Sequence, residues 1–293
     1  MKILKKLAAL MLCALLLTLP VTAFADSVSF TCYGDDLSSD QYQMVLELLG
    51  SDYANDTFIP VTIEDERALL GHAVSADKIG SRSLSSARVT LLDEGSGISV
   101  ETHNINWVTP SMYSSALITA GVSNAKIVVA APFEVSGTAA LAGILKAYET
   151  ASSEEISDLA RTVAGSEMVL TGELSEAIGS EEAVELLAMV KQAIADYNLD
   201  DYDTLRPYVE QGAYQMGVQL TDDQLDQITE LGVKIAQLDL DPQQLSQQLS
   251  GIVDNLQKIR IAQEKTLSFI DHLTSLLQKL LDWINKLFGI TGK

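Results

Sequence analysis

Residues 128–149, VVAAPFEVSGTAALAGILKAYE, set Ser136, Gly137 and Thr138 between an apolar run of strand length and a helix rich in small residues. Two hydroxyls and a glycine at such a corner suit a nucleophile elbow, an anion cradle or a packed turn. An elbow requires Gly-x-Ser-x-Gly on a sharp strand-to-helix turn, yet Glu134 and Thr138 stand two places either side of Ser136. Gly121-Val122-Ser123-Asn124-Ala125 comes nearer in spacing but leads from helix into strand, the reverse of the required order. With His72, His103 and His272 as the imidazole bases available, a Ser-His-acid triad ranks last. A cradle ranks second. Free N–H groups at a helix start, with Ser136, Gly137 and Thr138 around them, would bind a small anionic ligand, and Arg82 or Arg88 would add charge. The packed turn, in which Ser136 caps its helix and Gly137 allows close approach, ranks first.

Other chemistries find less support. The chain lacks a His-Glu-x-x-His sequence and a Gly-Lys-Ser/Thr sequence, and its two cysteines, Cys13 within the N-terminal apolar run and Cys32, do not make a ligand pair. The acids Asp200, Asp201 and Asp203, and Asp222, Asp223 and Asp226, do not follow an EF-hand pattern and read as helix-start and solvated groups. No metal or other cofactor is expected. His103, Asn104, Asn106 and Trp107 read as a polar turn anchored by a buried tryptophan. Cys32 reads as a half-buried small hydrophobe, with a reactive or intermolecular thiol as the alternative.

The elements that must position these groups follow from periodicity. Ala87 to Leu92 and Gly97 to Thr102 alternate around the turn residues Asp93-Glu94-Gly95-Ser96, which predicts a hairpin. Thr109-Pro110 starts a helix that Gly121 ends, and Ala125 to Ala131 is apolar on both faces, so Gly97–Thr102, this helix and this strand predict a βαβ unit. Ser152, Ser180 and Asp241-Pro242 mark further helix starts, and Pro207 is read as a first-turn proline. GDDLSSDQYQMVLELLG at 34–50 and GVQLTDDQLDQITELG at 217–232 share a capping box, Ser38 with Gln41 and Thr221 with Gln224.

Residues 1–25 form a cleavable export signal, with Lys2, Lys5 and Lys6 ahead of an apolar run and Ala23-Phe24-Ala25 before Asp26. Its removal shifts the formal net charge from −21 to −24, which disfavours nucleic acid as a partner. The end of the chain differs in character. From 265 to 293 it is net +2, and Ile270, Leu273, Leu277, Leu280, Trp283, Ile284, Leu287 and Phe288 recur at helical spacing. Such a basic amphipathic helix fits a membrane surface or an envelope protein partner, and packing on the acidic body is the competing reading.

GSRSLSSARV at 80–89, the block from Gly95 to Glu149 and the two Leu-Ser/Thr-x-Asp-Gln segments resemble the exported YpuA-like proteins of Firmicutes, the family called domain of unknown function 1002. The resemblance implies an exported bacterial protein and assigns no catalytic residues. The expected fold is an α/β (or α+β) N-terminal domain at 26–150 with a small mixed sheet, an all-helical region at 151–264, and the amphipathic helix at 265–293. The expected function is a non-enzymatic binding or interaction module at the cell surface. The alternative is an exported hydrolase or transferase acting on a cell-wall or peptide substrate, with Ser136 or Thr138 in its site.

Overall fold

The computed structural model describes residues 29–73 and 81–261. Their order is β1 (Ser29–Gly34), α1 (Ser39–Leu49), β2 (Thr57–Val61), α2 (Ile63–Leu70), β3 (Ser86–Leu91), β4 (Ile98–Ile105), α3 (Pro110–Thr119), β5 (Ala125–Val135) and α4 (Thr138–Ser152). There follow α5 (Asp158–Ile178), α6 (Ser180–Tyr197), α7 (Tyr202–Met216), α8 (Asp222–Ala236) and a last helix, α9, at 242–261. A mixed five-stranded sheet is thus succeeded by helices. The strand order is β2-β1-β3-β5-β4, and only β3 runs against its neighbours.

The expected hairpin does not form. β5 lies between β3 and β4, antiparallel to the first and parallel to the second. Asp93-Glu94-Gly95-Ser96 is therefore a crossing between non-adjacent strands. The physical reason lies in β5: Ile127 and Val129 are buried on one face and Ala130 on the other, and a strand apolar on both sides gains most from a central place. The βαβ unit does form, with α3 between β4 and β5. Thr109 accepts a hydrogen bond from the Met112 N–H with Pro110 in the first turn, as the sequence predicts.

Alternation gives the sheet two unlike faces. Cys32, Ala87, Val89, Ile127 and Val129 meet the α4 side, in a core that runs on through Met168 and Val184 to Leu245 and Leu256 of α9. The opposite face carries α1, whose Val45 and Leu49 pack on Ala130. Gly143 of α4 lets this helix close on the sheet, because a Cβ there would stand 2.9 Å from both Cys32 Cβ and Val61 Cγ2. Cys32 is fully buried rather than half-buried, and its Sγ donates to the Gly143 carbonyl at 2.9 Å. Burial pushes its thiol up to about 12, so it stays protonated and inert.

Both capping boxes are present, at Ser38 with Gln41 and at Thr221 with Gln224. Their helices pack on different elements, α1 on the sheet and α8 on α5, α6 and α7, so the likeness is one of helix starts. Asp201 and Asp241 accept hydrogen bonds from the N–H groups of Thr204 and Gln244, and Asp226 accepts from Tyr202 and Arg206. Ser180 opens α6 with Glu181 and Glu182 in its first turn, as expected, with Gly179 at the cap position. Two details differ from expectation. Ser152 ends α4 and Ser157 caps α5 instead, and Pro207 lies within α7, past its first turn. No helix among the described residues is long and apolar enough to cross a membrane.

Trp107, half-buried rather than buried, anchors its turn by lying on Gly172 of α5, where an added Cβ would collide with the indole Cζ2. Gly172→Ala is expected to destabilise the fold by about 1–3 kcal/mol through overpacking. A lowered urea midpoint would record it, and an unchanged midpoint would mean that the indole moves freely.

Candidate functional site

The corner after β5 is built by contacts from distant parts of the chain. Gly137, not Ser136, is the N-cap of α4, with φ at 94° and no capping bond from its own residue. A side chain there would be strained and would also stand 2.6 Å from Ile105 Cγ2, so the position requires glycine. The expected Ser136 cap is replaced from outside the helix, since Ser85 Oγ, just ahead of β3, accepts the Ala140 N–H at 3.0 Å. Tyr113 of α3 donates its hydroxyl to the Gly137 carbonyl at 2.5 Å. Burial pushes that hydroxyl above the ordinary tyrosine range, so it remains a donor.

The chain places its own acid at this helix start. Glu66 of α2 is only 1% exposed, and Thr138 Oγ1 donates to its Oε1 at 2.5 Å. Ser136 Oγ lies 3.2 Å from Thr138 Oγ1, which completes a row of two hydroxyls and a carboxyl. Burial raises the Glu66 carboxyl to about 7, against the opposing pull of the Thr138 hydrogen bond and of Arg67. A helix start favours a carboxylate while loss of water disfavours it, and here desolvation is the larger effect. Ser136, Gly137 and Thr138 are thus held together, and the acid bonded to Thr138 is internal.

No histidine among the described residues bonds to Ser136. His72 Nε2 is 3.1 Å from the Thr162 carbonyl and 3.2 Å from Ser166 Oγ, and His103 Nε2 is 3.2 Å from Glu101 Oε1. His272 lies outside the described residues, as do the expected export signal at 1–25 and Ile270, Leu273, Leu277, Leu280, Trp283, Ile284, Leu287 and Phe288. Arg88 is also committed elsewhere. It grips Asp56 with two bonds of 2.7 and 2.8 Å, and Arg82 is exposed.

A second polar cluster escaped the sequence reading. Lys191 of α6 donates to Glu167 Oε1 of α5 at 2.6 Å, and to the Ser115 Oγ and carbonyl of α3 at 2.9 and 2.8 Å. Ser115 and Thr119 donate to the two carboxylate oxygens of Glu167. A serine hydroxyl beside a lysine amine has the makings of a nucleophile and base. Here both charged side chains are 0% exposed, and the amine is bound to a carboxylate, so the cluster ties three helices together. Burial pulls the Lys191 pKa below the ordinary lysine range, and Glu167 pulls it back. The available signal was a charge, Glu167 or Lys191, where helical spacing calls for an apolar residue in GSEMVLTGEL and ELLAMVKQAI.

The comparisons identify a family and assign it no activity. The model of the family described as "Protein of unknown function (DUF1002)" matches residues 33–252. "Uncharacterized protein YpuA" of Bacillus subtilis (strain 168) is 40% identical over 273 residues, covering 92% of this chain and 91% of its own. No solved structure matches the chain. A match of that extent, over the sheet and most of the helices that follow it, makes the chain a member of the DUF1002 family.

Proposed function

We propose that the protein is an exported component of the bacterial cell envelope that acts by binding, and that its C-terminal segment holds it at the cell surface. The observation that carries this reading is the change in exposure along α9. Leu245, Leu249, Ile252 and Leu256 form a buried stripe at helical spacing. The next apolar residues, Ile259 and Ile261, are 39% and 50% exposed. Arg260 between them still pairs with Glu185 of α6 at 2.7 Å, so apolar residues continue where the body covers the helix only in part, and the sequence carries them on through Ile270, Leu277, Trp283 and Phe288. Four lysines against two aspartates in 265–293 suit an anionic lipid surface, from which the acidic body would be held apart.

The alternative of a hydrolase or transferase is not favoured. The hydroxyl of Thr138 is spent on Glu66, Ser136 is bonded to Thr138, and the Ser115–Lys191 pair is closed to substrate. Deleting residues 265–293 is expected to abolish co-sedimentation with vesicles of phosphatidylglycerol and phosphatidylethanolamine while leaving the melting temperature of the body unchanged. Equal co-sedimentation of the full and shortened chains would sink the reading.

A further inference from the structure

A groove of about 910 Å³ opens between the 94–97 turn, the far end of α3 and the flank of α9. Its α9 wall is a stripe one step round from the buried one, with Gln244, Gln248, Gly251, Asn255 and Lys258 recurring at spacings of three and four. The facing wall offers Ser96, Ser114, Ser123 and Asn124, and Ile98, Ile118 and Ile252 supply a small apolar floor. Two amides hold the walls in place. Asn124 Oδ1 accepts the Gly97 N–H at 3.1 Å, and Gln248 Nε2 donates to the Val122 carbonyl at 3.1 Å. The side-chain amides of Gln243, Gln244, Gln247 and Asn255 are exposed and make no hydrogen bond to another described residue, so a ligand can reach them.

Gly251 is the second observation. A glycine within an exposed helix is about 1 kcal/mol less favourable than alanine, so it needs a reason. Neighbouring chain does not provide one, since a Cβ at Gly251 would meet nothing within 4 Å. Nor does a turn, for the residue is helical and its φ is not positive. What the missing side chain does is deepen the groove at the middle of its polar stripe.

We propose that this groove binds a neutral oligosaccharide of N-acetylated amino sugars. Side-chain amides and serine hydroxyls each both donate and accept, as do sugar hydroxyls and acetamido groups, so the two surfaces can satisfy one another. The floor offers three isoleucines for the C–H faces of sugar rings, and no aromatic among the described residues lines the groove to form the pocket a peptide anchor would fill. Glu94, Asp241 and Asp254 outnumber Lys258, which excludes polyanions. The volume is at the upper end of the range for small-ligand sites and fits several linked rings.

This ligand class adds to the binding role proposed above but does not rest on the C-terminal segment, and the two are tested separately. Titrating the purified protein with N-acetylglucosamine tetramer and hexamer by calorimetry is expected to give saturable binding, tighter for the hexamer. Gly251→Leu should weaken it at least tenfold while keeping or raising the melting temperature, because leucine is the better helix former. Gln257→Leu, on the same helix outside the groove, should bind like the parent. All three proteins should co-sediment equally with vesicles, so loss of sugar binding is not confused with loss of membrane attachment. Absence of saturable binding, equal binding by Gly251→Leu, or preference for a polar peptide of similar length would each overturn the proposal.

Discussion

Lys191→Met is expected to destabilise the fold by about 3–5 kcal/mol, because it leaves the Glu167 carboxylate buried with no opposing charge. That is a large share of the roughly 5–15 kcal/mol that separates native from unfolded domains. The effect is one of removing a partner, and it does not measure what the pair contributes. Water lost by both ions on folding offsets much of their attraction, so taking the charge from both sides should cost far less. Adding Glu167→Gln to Lys191→Met should therefore recover more than half of the loss. The glutamine oxygen still accepts from Ser115 or Thr119, and the buried net charge is gone. Urea midpoints at neutral pH for the parent, both single variants and the double variant decide the matter. A Lys191→Met midpoint within error of the parent would show that the pair is not desolvated as its burial indicates. An additive double variant would show that the two groups do not interact.

The same cluster shows what the sequence made legible and what it hid. Local devices could be read: the capping boxes at Ser38 and Thr221, the Thr109-Pro110 start and the Asp241 cap each depend on residues within a few positions. The two-faced apolar run of β5 was readable too, and it correctly implied a covered strand following α3. The hairpin was misread because turn chemistry at 93–96 says only that the chain bends there. Whether β3 and β4 pair is decided by β5, which competes for both with the more apolar strand.

The polar interior was hidden for a related reason. Glu66 lies in IEDERALL, whose acids look like a solvated first turn, and only the packing of α2 against α4 turns it onto Thr138. Ser85 belongs to a serine-rich stretch before β3 with no local sign that it would cap a helix over fifty residues later. Lys191 and Glu167 did leave a trace, as single charges at positions where helical spacing demands apolar residues. Such violations mark a partner elsewhere in the chain, though not which one.

Glu66 leads to the second large effect, a dependence of stability on pH. Its carboxyl titrates at about 7 in the folded chain and near the ordinary 4.5 when unfolded. Below pH 4.5 both states hold the proton, and the favourable burial of the neutral acid is fully present. Between these values the unfolded chain has released the proton while the folded chain retains it, so stability falls as pH rises. Above about 7 the loss is complete, and it amounts to at most about 3 kcal/mol for a shift of this size. Glu66→Gln keeps the shape and the acceptor for Thr138 but cannot ionise. It is therefore expected to match the parent near pH 4.5 and to exceed it by up to about 3 kcal/mol at pH 8. The acidic surface also lowers stability as pH rises, through repulsion among its carboxylates, but it does so equally in both proteins and cancels in the difference. Urea melts of the two proteins at pH 4.5, 6 and 8 give that difference directly. A constant gap across the three values would mean that Glu66 holds the same charge in both states, and that the Ser136–Thr138 corner closes over a carboxylate rather than a neutral acid.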